Sequence, residues 1–114
     1  MKWFLGRFYY AYCGFLTCLK DRSIRYQMIF GLIVILCGFL FHLNQEEWLK
    51  VIWCIGLVIA AEVTNSCIER CVDYISLKRD PRAKRIKDMA AFGVLIISIC
   101  AAITGLMIFV PKIF

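Results

Sequence analysis

Four side chains able to bind cations or move protons stand where the surrounding sequence is otherwise apolar: Glu62, Asn65, Glu69 and Asp73, in the segment AEVTNSCIERCVD from Ala61 to Asp73. At about 100° per residue their spacings of three, four and four gather them into a stripe roughly 80° wide on one helical face. At about 1.5 Å per residue that stripe is on the order of 16 Å long. Upstream lies VIWCIGLVIAA, which carries no charge, so the first acid falls at membrane depth. An ionisable residue there is costly in hydrocarbon and marks a functional site by default. Carboxylates on one face, with basic residues at the far end, suit a divalent cation and a phosphorylated ligand. Magnesium takes oxygen ligands, keeps several waters and shares itself with phosphates. Phosphoryl transfer needs such a metal, a cation such as lysine, and a carboxylate to orient or deprotonate the attacking hydroxyl.

No Walker loop and no Gly-rich loop of the soluble kinases is present. Two other classes also produce an intramembrane acidic stripe. A small transporter places its ionisable residues near the bilayer midplane, whereas this stripe runs from inside the span to its polar end. A non-enzymatic membrane assembly protein uses such groups as polar glue between helices, with Asn65 and Glu62 in that role. Spacing alone leaves all three open.

The elements that must position the stripe follow from composition. Apolar, aromatic and cysteine residues make up 62% of the 114-residue chain and charged ones only 19%, which marks an all-α integral membrane protein forming one domain over residues 1–114. Three segments are long enough to span, roughly 26–43, 48–74 and 89–110. The second, about 40 Å long as a helix, reaches the headgroups with its C-terminal turns. No clean apolar core with a small-residue cleavage site precedes them.

Lys2, Arg7, Lys20, Arg22 and Arg25 precede the first span, and Arg70, Lys78, Arg79, Arg82, Lys84, Arg85 and Lys87 surround the second connection, leaving only Lys50 and Lys112 elsewhere. This asymmetry predicts a cytoplasmic N-terminus and second loop, with the first loop and C-terminus outside. The net charge of +6 thus reflects topology and contact with anionic membrane lipids, and no nucleic-acid partner is expected.

The opening stretch, about 2–20, is too interrupted to span. A helical wheel gathers Phe4, Leu5, Phe8, Tyr9, Tyr12, Phe15, Leu16 and Leu19 opposite Gly6, Arg7, Tyr10, Gly14, Thr17 and Asp21, the pattern of an interfacial amphipathic helix. It is a surface anchor, or a cover over the stripe with Tyr10 or Asp21 facing a ligand. Asp21, an acid among basic residues, is a cation ligand or a local ion-pair partner. Asn44 reads as an N-cap with Glu46 and Glu47 behind it, Trp48 as an interfacial residue, and Asp80 before Pro81 as an N-cap and first-turn proline. Small residues of the third span, among them Gly93 and Gly105, permit close helix packing. The seven cysteines, lacking any Cys-x-x-Cys pair, and the single His42 read as packing and interfacial residues.

AEVTNSCIERCVD followed by RAKRIKDMAAFGVLI resembles the signature of the small prokaryotic diacylglycerol kinase and undecaprenol kinase family: Glu-x-x-Asn-Ser/Thr-Ala-Ile-Glu-x-x-Val-Asp, then Ala-Lys-Asp at the start of the third span. Glu62, Asn65, Ser66, Ile68, Glu69, Val72, Asp73, Lys87 and Asp88 match it. The resemblance covers nearly the whole chain, from Tyr10 to Gly14 through to the ending GLMIFVPKIF. That ending, with Glu47 and Trp48, is more similar to the Gram-positive undecaprenol kinase branch.

The resemblance implies an ATP-dependent lipid kinase that phosphorylates undecaprenol, with diacylglycerol as the alternative acceptor. It implies Glu62 as the base on the lipid hydroxyl and Asn65 beside it to position hydroxyl and phosphate. Glu69 and Asp21 would ligate Mg2+, while Lys87, Asp73, Asp88 and Tyr10 would hold ATP. A homotrimer with shared sites is also implied. The chain departs from the pattern at Asp21, where the family has a glutamate, at Ser23 and Gln27 for asparagine and histidine, at Cys67 for alanine, and at Phe92 for glycine.

Overall fold

The computed structural model describes residues 2–76 and 79–114; Lys78, named above, lies outside the described residues. Four helices follow one another, α1 Lys2–Cys18, α2 Arg22–Leu40, α3 Gln45–Ile75 and α4 Pro81–Ile113, and among the described residues there is no strand. The last three are long and apolar enough to cross a membrane, as the composition requires.

Each boundary has a local cause. Asp21 caps α2, its Oδ1 accepting the N–H groups of Ser23 at 3.0 Å and Ile24 at 3.4 Å. The helix therefore starts four residues before the apolar run at Tyr26 and ends at Leu40, where Phe41 and His42 turn the chain and His42 takes a positive φ of 53°. Asn44 caps α3 in a capping box: its Oδ1 accepts from Glu47 N–H at 2.9 Å, and Glu47 Oε1 accepts from Asn44 N–H at 3.1 Å. Asp80 caps α4 with Pro81 in the first turn, as expected, so α4 begins well before the apolar segment at Met89. The helix runs through Pro111 to Ile113; so near its end, the proline interrupts little of the hydrogen-bond ladder.

α3 packs against both α2 and α4. A core of Leu43, Val51 and Ile108, supported by Val34, Trp48, Ile55 and Phe109, closes the end near the α2–α3 turn. Lys112 reaches Glu47 at 3.1 Å there, tying the end of α4 to the start of α3. α2 comes closest to α3 at its glycines: a Cβ on Gly38 would lie 2.6 Å from the Trp48 ring, and one on Gly31 would lie 3.0 Å from Ile55. By contrast, Gly93 and Gly105 of α4 have nothing within 4 Å of a built Cβ, so the expected close packing through those glycines is not made within the chain. No side chain of α1 is buried, and its apolar residues face surroundings other than this chain.

Candidate active site on α3 and its flanks

The stripe forms as the spacing predicts, on α3, and its exposure is graded along the helix. Glu62, Asn65 and Ser66 are buried, whereas Glu69 and Asp73 are exposed. Asn65 Nδ2 donates to Glu69 Oε1 at 3.2 Å, the i to i+4 contact of a helical face. Asn65 Oδ1 is buried and, among the described residues, accepts no hydrogen bond. A buried carbonyl oxygen without a donor costs about 1–3 kcal/mol, a cost that a donor from a bound ligand would offset.

Asp21 closes the group from the α1–α2 junction. Its Oδ2 lies 3.8 Å from Arg70 Nη2 on α3, and Asp21 and Glu69 are the carboxylates electrostatically coupled to Glu62. The sequence thus places Asp21 with the stripe, but it also serves as an N-cap and as partner to Arg70, a residue sequence reasoning left in the basic loop. The DRSI pattern, an acid just before a helical run, was the available signal for the cap.

At the outer end Lys87 of α4 bonds to Asp73 of α3, bringing two expected nucleotide-binding residues together. Asp88 bonds instead to Lys84, at 2.8 Å, one turn earlier on its own helix. A cleft of about 610 Å³ opens here, lined by Asp73, Arg79, Lys84 and Lys87 among others. Its floor includes Asp80, whose carboxyl sits below its ordinary range because the Arg82 side chain and N–H both donate to it. Tyr10 is not brought into the site: it is largely exposed, its ring meets Tyr9 at 5.9 Å, and it makes no hydrogen bond to the stripe. On the membrane side a second, apolar groove of about 750 Å³ runs between α2, α3 and α4, lined by Phe30, Val34, Ile55, Val58 and Phe109 among others. Phe92 is exposed and not among its lining residues.

Among the described residues no three His, Cys, Asp or Glu side chains converge to hold a metal unaided, and the described cysteines are free. The donors that do approach one another are carboxylate and amide oxygens. That set suits a hard cation that retains waters and completes its shell with phosphate oxygens, and it does not suit a thiophilic one.

A helical membrane scaffold with a buried carboxylate, an orphaned amide oxygen beside it, and an ion-paired polar cleft two to three turns along the helix fits a small integral membrane phosphotransferase. Residues 9–109 match the prokaryotic diacylglycerol kinase family, and the chain belongs to it; it is a membrane lipid kinase. It is 36% identical over 96 residues to the undecaprenol kinase of Bacillus subtilis, covering 84% of this chain and 78% of that protein. It is also 31% identical over 83 residues to a diacylglycerol kinase of Pseudomonas aeruginosa, covering 72% of this chain and 68% of that protein.

Proposed function

We propose that this kinase transfers the γ-phosphate of ATP to the terminal hydroxyl of undecaprenol, giving undecaprenyl phosphate and ADP. The observation that carries the reading is the graded stripe: a buried carboxylate at Glu62, an unpartnered amide oxygen at Asn65, and charged residues at the polar end. A lipid alcohol presents its hydroxyl from the membrane, whereas a nucleotide arrives from water, and the two meet only where such a gradient crosses the membrane surface. Glu62 takes the hydroxyl proton as the lipid oxygen attacks the γ-phosphorus. The bond from that phosphorus to the β–γ bridging oxygen breaks, and ADP departs with the electron pair. Asn65, whose Nδ2 steadies Glu69, helps position the lipid hydroxyl and the reacting phosphate beside Glu62. Lys87, Asp73 and Asp88 hold the nucleotide at the cleft, and Tyr10 approaches it only if α1 closes over the site.

Glu69 and Asp21 are the residues that would hold Mg2+, whose chemistry when bound is to neutralise charge on the transferring phosphates. Undecaprenol is favoured as acceptor by the Bacillus relative and by the apolar groove along three helices. Diacylglycerol is the alternative, supported by the Pseudomonas relative. The basic residues around the second connection support a site on the cytoplasmic side of the cell membrane. Open space against Gly93 and Gly105 supports a homotrimer packed through α4. The purified protein, given radiolabelled ATP with undecaprenol and diacylglycerol in parallel, is expected to label undecaprenol preferentially. Preferential labelling of diacylglycerol would reverse the acceptor assignment.

A further inference from the structure

Arg70 stands between the two halves of the site and has no part in the reading above. Among the described residues it is the only cation in an ion pair with any of the three coupled carboxylates Asp21, Glu62 and Glu69. The pair is loose. At 3.8 Å the Arg70 Nη2 to Asp21 Oδ2 separation exceeds the 2.7–3.2 Å of a hydrogen bond, and the Arg70 side chain is 58% exposed against 18% for Asp21. The two Asp21 oxygens are differently engaged: Oδ1 is fixed by the α2 N-cap, while Oδ2 has Arg70 as its ion-pair partner among the described residues. Arg70 also follows Glu69 directly and precedes Asp73 by three residues, about 4.5 Å along the helix axis. A polyphosphate reaching from Glu69 to the Asp73–Lys87 cleft therefore passes within the span of its side chain.

We infer that Arg70 exchanges partners during the catalytic cycle: it neutralises Asp21 in the empty site and moves to a nucleotide phosphate when the metal–nucleotide complex arrives, freeing Asp21 Oδ2. The inference rests on the assignment of Asp21 and Glu69 to the metal. A divalent cation beside Asp21 repels the guanidinium, and a polyphosphate next to it offers the bidentate oxygens that arginine matches best. In the empty site Arg70 competes with the cation for Asp21. In the loaded site it adds a charge-assisted contact, so one side chain has opposite effects on the two ligands.

The test uses the full-length protein in detergent and measures two affinities, neither of them a rate: Mn2+ alone, by electron paramagnetic resonance, and a non-hydrolysable ATP analogue with saturating Mg2+. Arg70→Gln is expected to tighten Mn2+ binding on the order of three- to tenfold, because a nearby positive charge is removed, and to weaken the analogue about tenfold. Arg70→Lys, which keeps the charge and loses the bidentate fork, is expected to restore wild-type Mn2+ affinity and only part of the analogue affinity. If Arg70 merely braced the Asp21 cap, Arg70→Gln would weaken both ligands. Movement of both affinities in the same direction, or no change in either one, overturns the exchange. Glu69→Gln is measured alongside: undiminished Mn2+ binding in that variant defeats the metal assignment itself, separately from Arg70.

Discussion

Replacing Asn65 by leucine, nearly isosteric and unable to hydrogen bond, separates the stability of this protein from its chemistry. Two stability terms change together. The bond from Nδ2 to Glu69, at 3.2 Å, is lost, and hydrogen bonds to charged groups contribute about 1.5–3 kcal/mol. The buried Oδ1 that accepts no hydrogen bond is also removed, relieving a desolvation cost of about 1–3 kcal/mol. The terms oppose one another and are of similar size, so thermal unfolding in detergent should change little. Catalysis has no such compensation. Asn65→Leu loses the amide that positions the lipid hydroxyl and the reacting phosphate and releases Glu69 from its tether, and one positioned hydrogen bond is worth about 10²–10³ in kcat. Initial rates of lipid phosphorylation in mixed micelles, measured beside the unfolding temperature, are expected to fall about a hundredfold at near-constant stability. A rate within twofold of wild type would refute the positioning role of Asn65, and a rate lost only in step with the fold would reduce Asn65 to packing.

Three further outcomes follow from the scaffold. Gly38→Ala drives a methyl group into the Trp48 ring at the closest α2–α3 approach and is expected to cost about 1–3 kcal/mol in denaturant unfolding, whereas Gly93→Ala, with open space around it in the chain, should leave intrachain packing untouched and alter only the assembly seen by detergent sizing. Asn44→Ala breaks the capping box of α3 and should cost about 0.5–2 kcal/mol by the same unfolding measurement. Asp80, whose ordinary carboxyl value is 3.8, is held lower in the folded chain by Arg82. Its contribution is therefore present above about that value and lost as pH falls through the lower folded one, so Asp80→Asn should lower stability near neutrality, leave it unchanged below the folded value, and so flatten the acid limb of stability against pH.

The scaffold and the line of the site were legible in the sequence because both arise from local rules. Apolar length sets the spans, a period of 3.6 sets the stripe, and Asn44 and Asp80 announce their helices by side-chain chemistry that acts within three residues. The boundaries of α2 were less so. The sequence-based span was drawn from hydropathy, from Tyr26 to Leu43, whereas the helix is set by the Asp21 cap and ends before Leu43, which turns back into the core. Pairings across helices were legible only in part. Lys87 with Asp73 joins two residues already singled out, but Arg70 with Asp21 depends on how the α1–α2 junction lies over α3, and no periodicity encodes that. Lys84 takes Asp88 because the two lie four residues apart on one helix, a pattern visible in the sequence once the helix is known to start at Pro81. Small residues mark where a backbone can be approached, and within this chain it is α2, through Gly31 and Gly38, that is approached, while Gly93 and Gly105 of α4 have open space beside them.

The claim that the buried end of the stripe performs the transfer is tested most directly by Glu62→Gln in a single-turnover experiment, with labelled γ-phosphate, undecaprenol and excess enzyme, after its affinity for a non-hydrolysable ATP analogue has been matched to wild type. Glu62 lies about three turns from Asp73 of the Asp73–Lys87 cleft on the helix, so nucleotide affinity should be retained. Transfer to undecaprenol should slow by about 10²–10⁴, the contribution of a positioned general base. Transfer at the wild-type rate by a folded, nucleotide-binding Glu62→Gln protein would contradict the account.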